Sequence, residues 1–158
     1  MKWTEGRIEG VQVRAARRYE DARGWLAEIF RSDETDPTLM PVMGYLSVTK
    51  PGVTRGPHEH REQTDTFGLL GPGTFRVRMW DNRKTSPTYG RCQTVTAGDR
   101  QPLIIMVPPG VVHAYTNISA SDAWVVNCPN RLYGGPGRKQ PVDEVRYENQ
   151  PDSGFDMK

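Results

Sequence analysis

Cysteine is scarce: Cys92 and Cys128 are the only two in 158 residues. They make no CxxC or zinc-ribbon spacing, so neither a disulfide framework nor a thiolate zinc knot is expected. The pair reads as small, buried or half-buried residues in a reducing cytoplasm. Long apolar runs are missing as well. Nothing approaches the ~18 residues of a membrane span, and the opening MKWTEGRIEG is polar, without a signal-peptide pattern. Charge of one sign is also lacking. Lys and Arg number 21 against 19 Asp and Glu, a net of +2, too little to call for a nucleic-acid or membrane partner. No internal repeat, low-complexity stretch or charged tail interrupts the chain.

What is present is turn chemistry. Sixteen glycines and 13 prolines argue for many short strands rather than long helices. GYLSVT (44–49), TFRVRMW (74–80), LIIMV (103–107) and AWVVN (123–127) read as strands. Between them lie KPGVTRG, GPG, TSPTYG, TAGD, VPPG and YGGPG, all turn-rich. The one helical candidate, 33–44, carries two prolines and is at best a short turn. In TFRVRMW, Arg76, Arg78 and Trp80 share a face opposite Phe75, Val77 and Met79. Exposure to solvent is the commoner fate of such an arginine face; lining a polar pocket is the alternative. The expectation is an all-β, single-domain sandwich or barrel over 1–158, with a polar, loosely ordered tail from about residue 148. The basic residues lean to arginine, which suits an anionic small molecule or reflects only codon bias.

All three histidines fall in two motifs. RGPHEHREQTDTF (55–67) sets His58 and His60 one residue apart, with Asp65 five further on; PPGVVHAYTN places His113 behind a Pro-x-Gly turn. Two imidazoles on one strand face serve equally as metal ligands or as an acid/base pair.

These motifs resemble those of the cupin superfamily, double-stranded β-helix (jelly-roll) barrels. A metal-binding cupin would use His58, His60, Asp65 and His113 around one divalent transition metal. A narrower resemblance covers residues 21 to 115. DARGWLAE, GVTRGPH, DNRKTSPTYG and PPGVVHAY are similar, in order and spacing, to blocks of the dTDP-4-dehydrorhamnose 3,5-epimerase family. The first motif also resembles that of the dTDP-sugar 3,4-ketoisomerases, where a Tyr precedes Arg-Gly-x-His-x-His by ten residues, as Tyr45 does here.

The resemblance implies a cofactor-free isomerase or epimerase of a nucleotide-activated 4-keto-6-deoxyhexose, working by enolisation in cytoplasmic deoxysugar biosynthesis. It implies His58 as base, His60 or Tyr45 as the second acid/base, and His113 donating to the sugar carbonyl. It implies Arg55 on the diphosphate, Arg23 and Glu28 on the nucleotide, and Tyr133 in the pocket if the chain shifts. A homodimer is implied too, since Arg23 and Glu28 belong to positions often shared with a dimer mate; Trp25 resembles an aromatic beside the nucleotide. The alternatives are a metal-dependent cupin oxygenase or lyase and a catalytically silent sugar-nucleotide binder. The chain departs from the epimerases in three places. No lysine stands in QTDTF, Val126 occupies the catalytic tyrosine's place, and only Asp152 and Asp156 remain as candidates to pair with the base.

Overall fold

A computed structural model describes residues 2–157. The chain forms β1 (Thr4–Glu5), β2 (Gln12–Ala15), β3 (Arg18–Asp21), β4 (Gly24–Ala27), β5 (Tyr45–Thr49), β6 (Thr54–Glu59) and β7 (Asp65–Leu69). It continues with β8 (Thr74–Asp81), β9 (Arg91–Gly98), β10 (Leu103–Val107), β11 (Val111–Asn117), β12 (Ala123–Asn127) and β13 (Val145–Arg146). The helical candidate reduces to one turn at Pro37–Leu39, capped by the Asp36 side chain. Among the described residues no helix is long and apolar enough to cross a membrane.

Two sheets face each other. One runs β1-β9-β8-β11-β6-β13, the other β2-β10-β7-β12-β5, and β3 with β4 forms a separate hairpin. Strand alternation sends one set of side chains between the sheets. Phe67 and Leu69 of β7, Phe75, Val77 and Met79 of β8, Ile105 of β10 and Val125 of β12 fill one core. This is the jelly-roll expected from the motifs.

A second, smaller apolar cluster covers the outside of the six-stranded sheet. Trp80, Cys92, Val112 and Ala114 are buried there beneath Trp3, Tyr147, Phe155 and Met157. The Phe155 ring lies 4.8 Å from Tyr147, 5.3 Å from Trp3 and 5.7 Å from Trp80, centroid to centroid. The tail is therefore docked rather than loose, because a few aromatics outweigh its polar composition. Arg76 and Arg78 share this outward face. They are half-buried instead of solvated, with the Arg78 guanidinium 5.6 Å from the Trp80 ring.

The DNRKTSPTYG block has a structural role. Asp81 is fully buried and accepts from Arg83 Nε at 2.8 Å, Ser86 Oγ at 2.6 Å and Thr88 Oγ1 at 2.5 Å. Burial raises this carboxyl, but the Arg83, Ser86 and Thr88 donors prevail and hold it down to about 2. The block thus closes the β8–β9 loop and lines no part of the histidine pocket.

Candidate active site

His58 on β6 stands in register with His113 on β11, and their rings meet edge-on at 4.4 Å. The register then slips, so that Tyr115 faces Arg55. This bulge lets Arg55 and His58 both reach the pocket although three residues separate them. Gly56 makes the approach possible. At φ +82° its position suits glycine, and an added Cβ would lie 2.5 Å from the His113 carbonyl oxygen. The Arg-Gly-x-His pattern is therefore a backbone requirement as well as a chemical one.

Around His113, Asp65 anchors a buried network. Gln63 Nε2 and Asn127 Nδ2 donate to its Oδ1 at 2.9 and 2.8 Å. Its Oδ2 faces His60 Nε2 at 3.1 Å and His113 Nε2 at 3.3 Å. Burial pushes the Asp65 carboxyl up, but His113 and His60 outweigh it and hold the group well below the carboxylate range. His60 is also desolvated, yet Asp65 and the Asp143 carbonyl, which faces its Nδ1, raise it above the ordinary imidazole value. With acceptors at both nitrogens, His60 is set up to carry a proton.

The pocket itself, about 550 Å³, is lined by Tyr45, Arg55, His58, His60, Tyr115 and Tyr133 among others. Desolvation by burial, then His113 and His60, lower His58 to about 2, so it is a neutral imidazole at working pH. Its Nδ1 is buried without a hydrogen-bond partner among the described residues. Tyr45 is pushed up to about 12, chiefly by desolvation. Asn127 Nδ2 donates to its oxygen at 2.9 Å, which leaves the phenol proton free to donate into the pocket.

Sequence reasoning missed two contributors from the C-terminal segment. Glu144 Oε1 lies 3.8 Å from His58 Nε2. Asp143 accepts from the backbone N–H groups of Arg61, Glu62 and Gln63 at 2.9–3.0 Å, tying that segment to the first motif. The pairing of β13 with β6, Arg146 to His58, aligns it. Neither Asp152 nor Asp156 lines the pocket; Asp156 instead sits 3.8 Å from Arg78 on the outer face. No motif marks Glu144, because its position depends on strand pairing across most of the chain.

Other expected residues stand elsewhere. Arg23 is exposed on the β3–β4 hairpin and paired with Asp21; Glu28 is paired with Arg31. Neither lines the histidine pocket of its own chain, since the hairpin projects as a separate sheet. Trp25 is 46% exposed, under the Arg18 guanidinium. Val126 lies on the strand face opposite the buried Val125 and Asn127, so a tyrosine there would not enter the interior.

The four motif residues also meet the requirements of a metal centre. His58, His60, Asp65 and His113 bring one ligand atom each within 4.8 Å of one another. His60 and His113 turn Nδ1 to the Asp143 and Val111 carbonyls, the outer contacts that orient imidazole ligands.

A two-sheet β barrel with histidines on paired strands is a cupin-type enzyme scaffold. A profile of the dTDP-4-dehydrorhamnose 3,5-epimerase family matches residues 5–140. The chain is 36% identical over 127 residues to the probable low-salt glycan biosynthesis epimerase Agl13 of Haloferax volcanii, covering 80% of this chain and 81% of that one. It is 34% identical over 110 residues to the spore coat polysaccharide biosynthesis protein SpsL of Bacillus subtilis, covering 68% and 70%. The crystal structure of a dTDP sugar isomerase from Desulfovibrio desulfuricans G20 superposes with a TM-score of 0.82 at 23% identity, over 94% of this chain and 91% of that one. The chain belongs to the dTDP-4-dehydrorhamnose 3,5-epimerase family, a family of nucleotide-sugar epimerases.

Proposed function

We propose that this enzyme isomerises or epimerises a nucleotide-activated 4-keto-6-deoxyhexose by enolisation. The observation that carries the reading is the neutral His58 beside the Glu144 carboxylate in a pocket with Tyr45 and Arg55. The 4-ketone acidifies the neighbouring C–H bonds, and His58 takes a carbon proton. Glu144 stabilises the imidazolium that forms. The Tyr45 phenol donates to the enolate oxygen or returns the proton. His60 is tied to Asp65 and Asp143, so we assign it to holding the network rather than to proton transfer. His113 keeps that network against the floor of the pocket. Arg55 faces the diphosphate side.

A homodimer in the cytoplasm completes the proposal. Leu46, Val48 and Trp124 are 40–51% exposed on the outside of the five-stranded sheet, and Trp124 pairs across strands with Val48. Such a face fits a second copy of the chain, which would bring Arg23 and Glu28 to the neighbouring pocket.

The test is incubation with dTDP-4-keto-6-deoxyglucose in deuterium oxide. Deuterium is expected at C3 or C5, with loss in His58→Ala. Tight binding without exchange would instead identify a silent binder. The second reading is favoured by the anchored Nδ1 atoms: His58, His60, Asp65 and His113 would hold a divalent transition metal, whose chemistry there would be Lewis-acid stabilisation of an oxyanion. Stoichiometric metal in protein purified without added metal, lost in His60→Ala, would replace the metal-free reading.

A further inference from the structure

We propose that the glycine-rich segment Tyr133–Arg138 is an anion-binding flap, and that Arg138 grips the diphosphate of the nucleotide-sugar; the inference rests on the substrate class proposed above. Gly134, Gly135 and Gly137 have φ of +66°, +68° and +63°, and Arg138 follows at +58°. Among the described residues Arg138 is the one non-glycine residue in this left-handed region, where a side chain is disfavoured. Backbone bonds hold the shape: Gly135 N to Leu132 O at 2.9 Å, Arg138 N to Gly135 O at 3.0 Å and Gln140 N to Gly134 O at 2.7 Å. The flap is thus ordered before any ligand arrives, and it sets Arg138 at the rim of the histidine pocket.

Three guanidiniums line that pocket, and they are not equivalent. Arg55 donates from Nε to Thr49 Oγ1 at 3.0 Å and from Nη2 to Val48 O at 2.8 Å. Arg146 Nε is bound to Glu144 at 2.7 Å. The Arg138 guanidinium has no hydrogen bond or ion pair among the described residues. Its planar fork of donors is free for bidentate phosphate binding. The unfavourable backbone at 138 is understandable if the position serves this side chain, since glycine would satisfy the turn alone.

Calorimetric titration of the full chain with dTDP tests the assignment. Arg138→Gln and Arg138→Gly are expected to weaken dTDP binding about tenfold or more, the range for losing a charged hydrogen-bond partner. Arg138→Lys should recover part of the loss. Arg138→Gly relieves the backbone, so its thermal midpoint should match or exceed the wild type; weak binding in a protein of undiminished stability then belongs to the side chain. Affinities within twofold of wild type for both the Gln and Gly variants would overturn the role of Arg138 and leave the sugar-nucleotide reading intact. Absence of both dTDP binding and solvent exchange in the wild type would overturn that reading and the inference with it.

Discussion

Glu144 Oε1 lies 3.8 Å from His58 Nε2, bringing a carboxylate from the C-terminal segment against the imidazole of the first motif. Burial and the neighbouring His113 and His60 keep His58 neutral, which makes it an acceptor but disfavours its protonated form. A base must hold the proton it takes, and Glu144 is the anion placed to support it. Glu144→Gln is therefore expected to lower kcat for solvent exchange by roughly ten- to a hundredfold, with KM close to wild type. Initial rates of deuterium incorporation measure the effect. An unchanged kcat would remove Glu144 from the mechanism.

The meeting of β6 and β11 depends on Gly56. Alanine there must relieve both a positive φ and a 2.5 Å approach to backbone. Gly56→Ala is expected to cost at least about 2 kcal/mol, with the two strands separating at the histidines. Urea unfolding gives the stability change, and imidazole NMR shifts of His58 and His113 report the displaced pair. A variant of native stability would show that the strands have room to part.

Much of this site was legible before the fold was known. Strand alternation and turn residues located β8, β10 and β12, and the concentration of three histidines in two motifs marked the barrel interior. Residues within one motif share a strand, so His58 and Arg55 could be placed together. The C-terminal contributions were not readable, because Glu144, Asp143 and Phe155 act through pairing with segments far away in the chain. The DNRKTSPTYG block misled in another way: its polar residues suggested ligand contacts, but Asp81 uses Arg83, Ser86 and Thr88 to build a loop. Polar residue types alone do not distinguish a satisfied network from an open one.

That network has an acid signature. The folded Asp81 carboxyl is depressed to about 2, whereas an unfolded aspartate titrates near ~3.9. Its contribution is fully present above the unfolded value and is lost as pH falls through the folded one. The loss amounts to about 2 kcal/mol between roughly pH 4 and pH 2. Asp81→Asn should start less stable at neutral pH and show a flatter decline across that window. Urea midpoints measured through the window provide the comparison; parallel curves for the two proteins would contradict the assignment.

Arg23 and Glu28 supply the most direct test of a shared site. Both stand on an exposed hairpin outside their own pocket, beside a sheet face carrying exposed Leu46, Val48 and Trp124. If that face joins two copies, Arg23 of one chain serves His58 of the other, and the defects of Arg23→Ala and His58→Ala complement. A mixed dimer then holds one site with both substitutions and one with neither. Equal mixing with free exchange makes half of the dimers mixed, so about a quarter of wild-type activity should return. Trp124→Glu, which sets charges against each other across the apolar face, should give monomers by light scattering and abolish the recovery. No recovery on mixing, with exchange of chains demonstrated, would confine each active site to a single chain and leave Arg23 and Glu28 without a part in it.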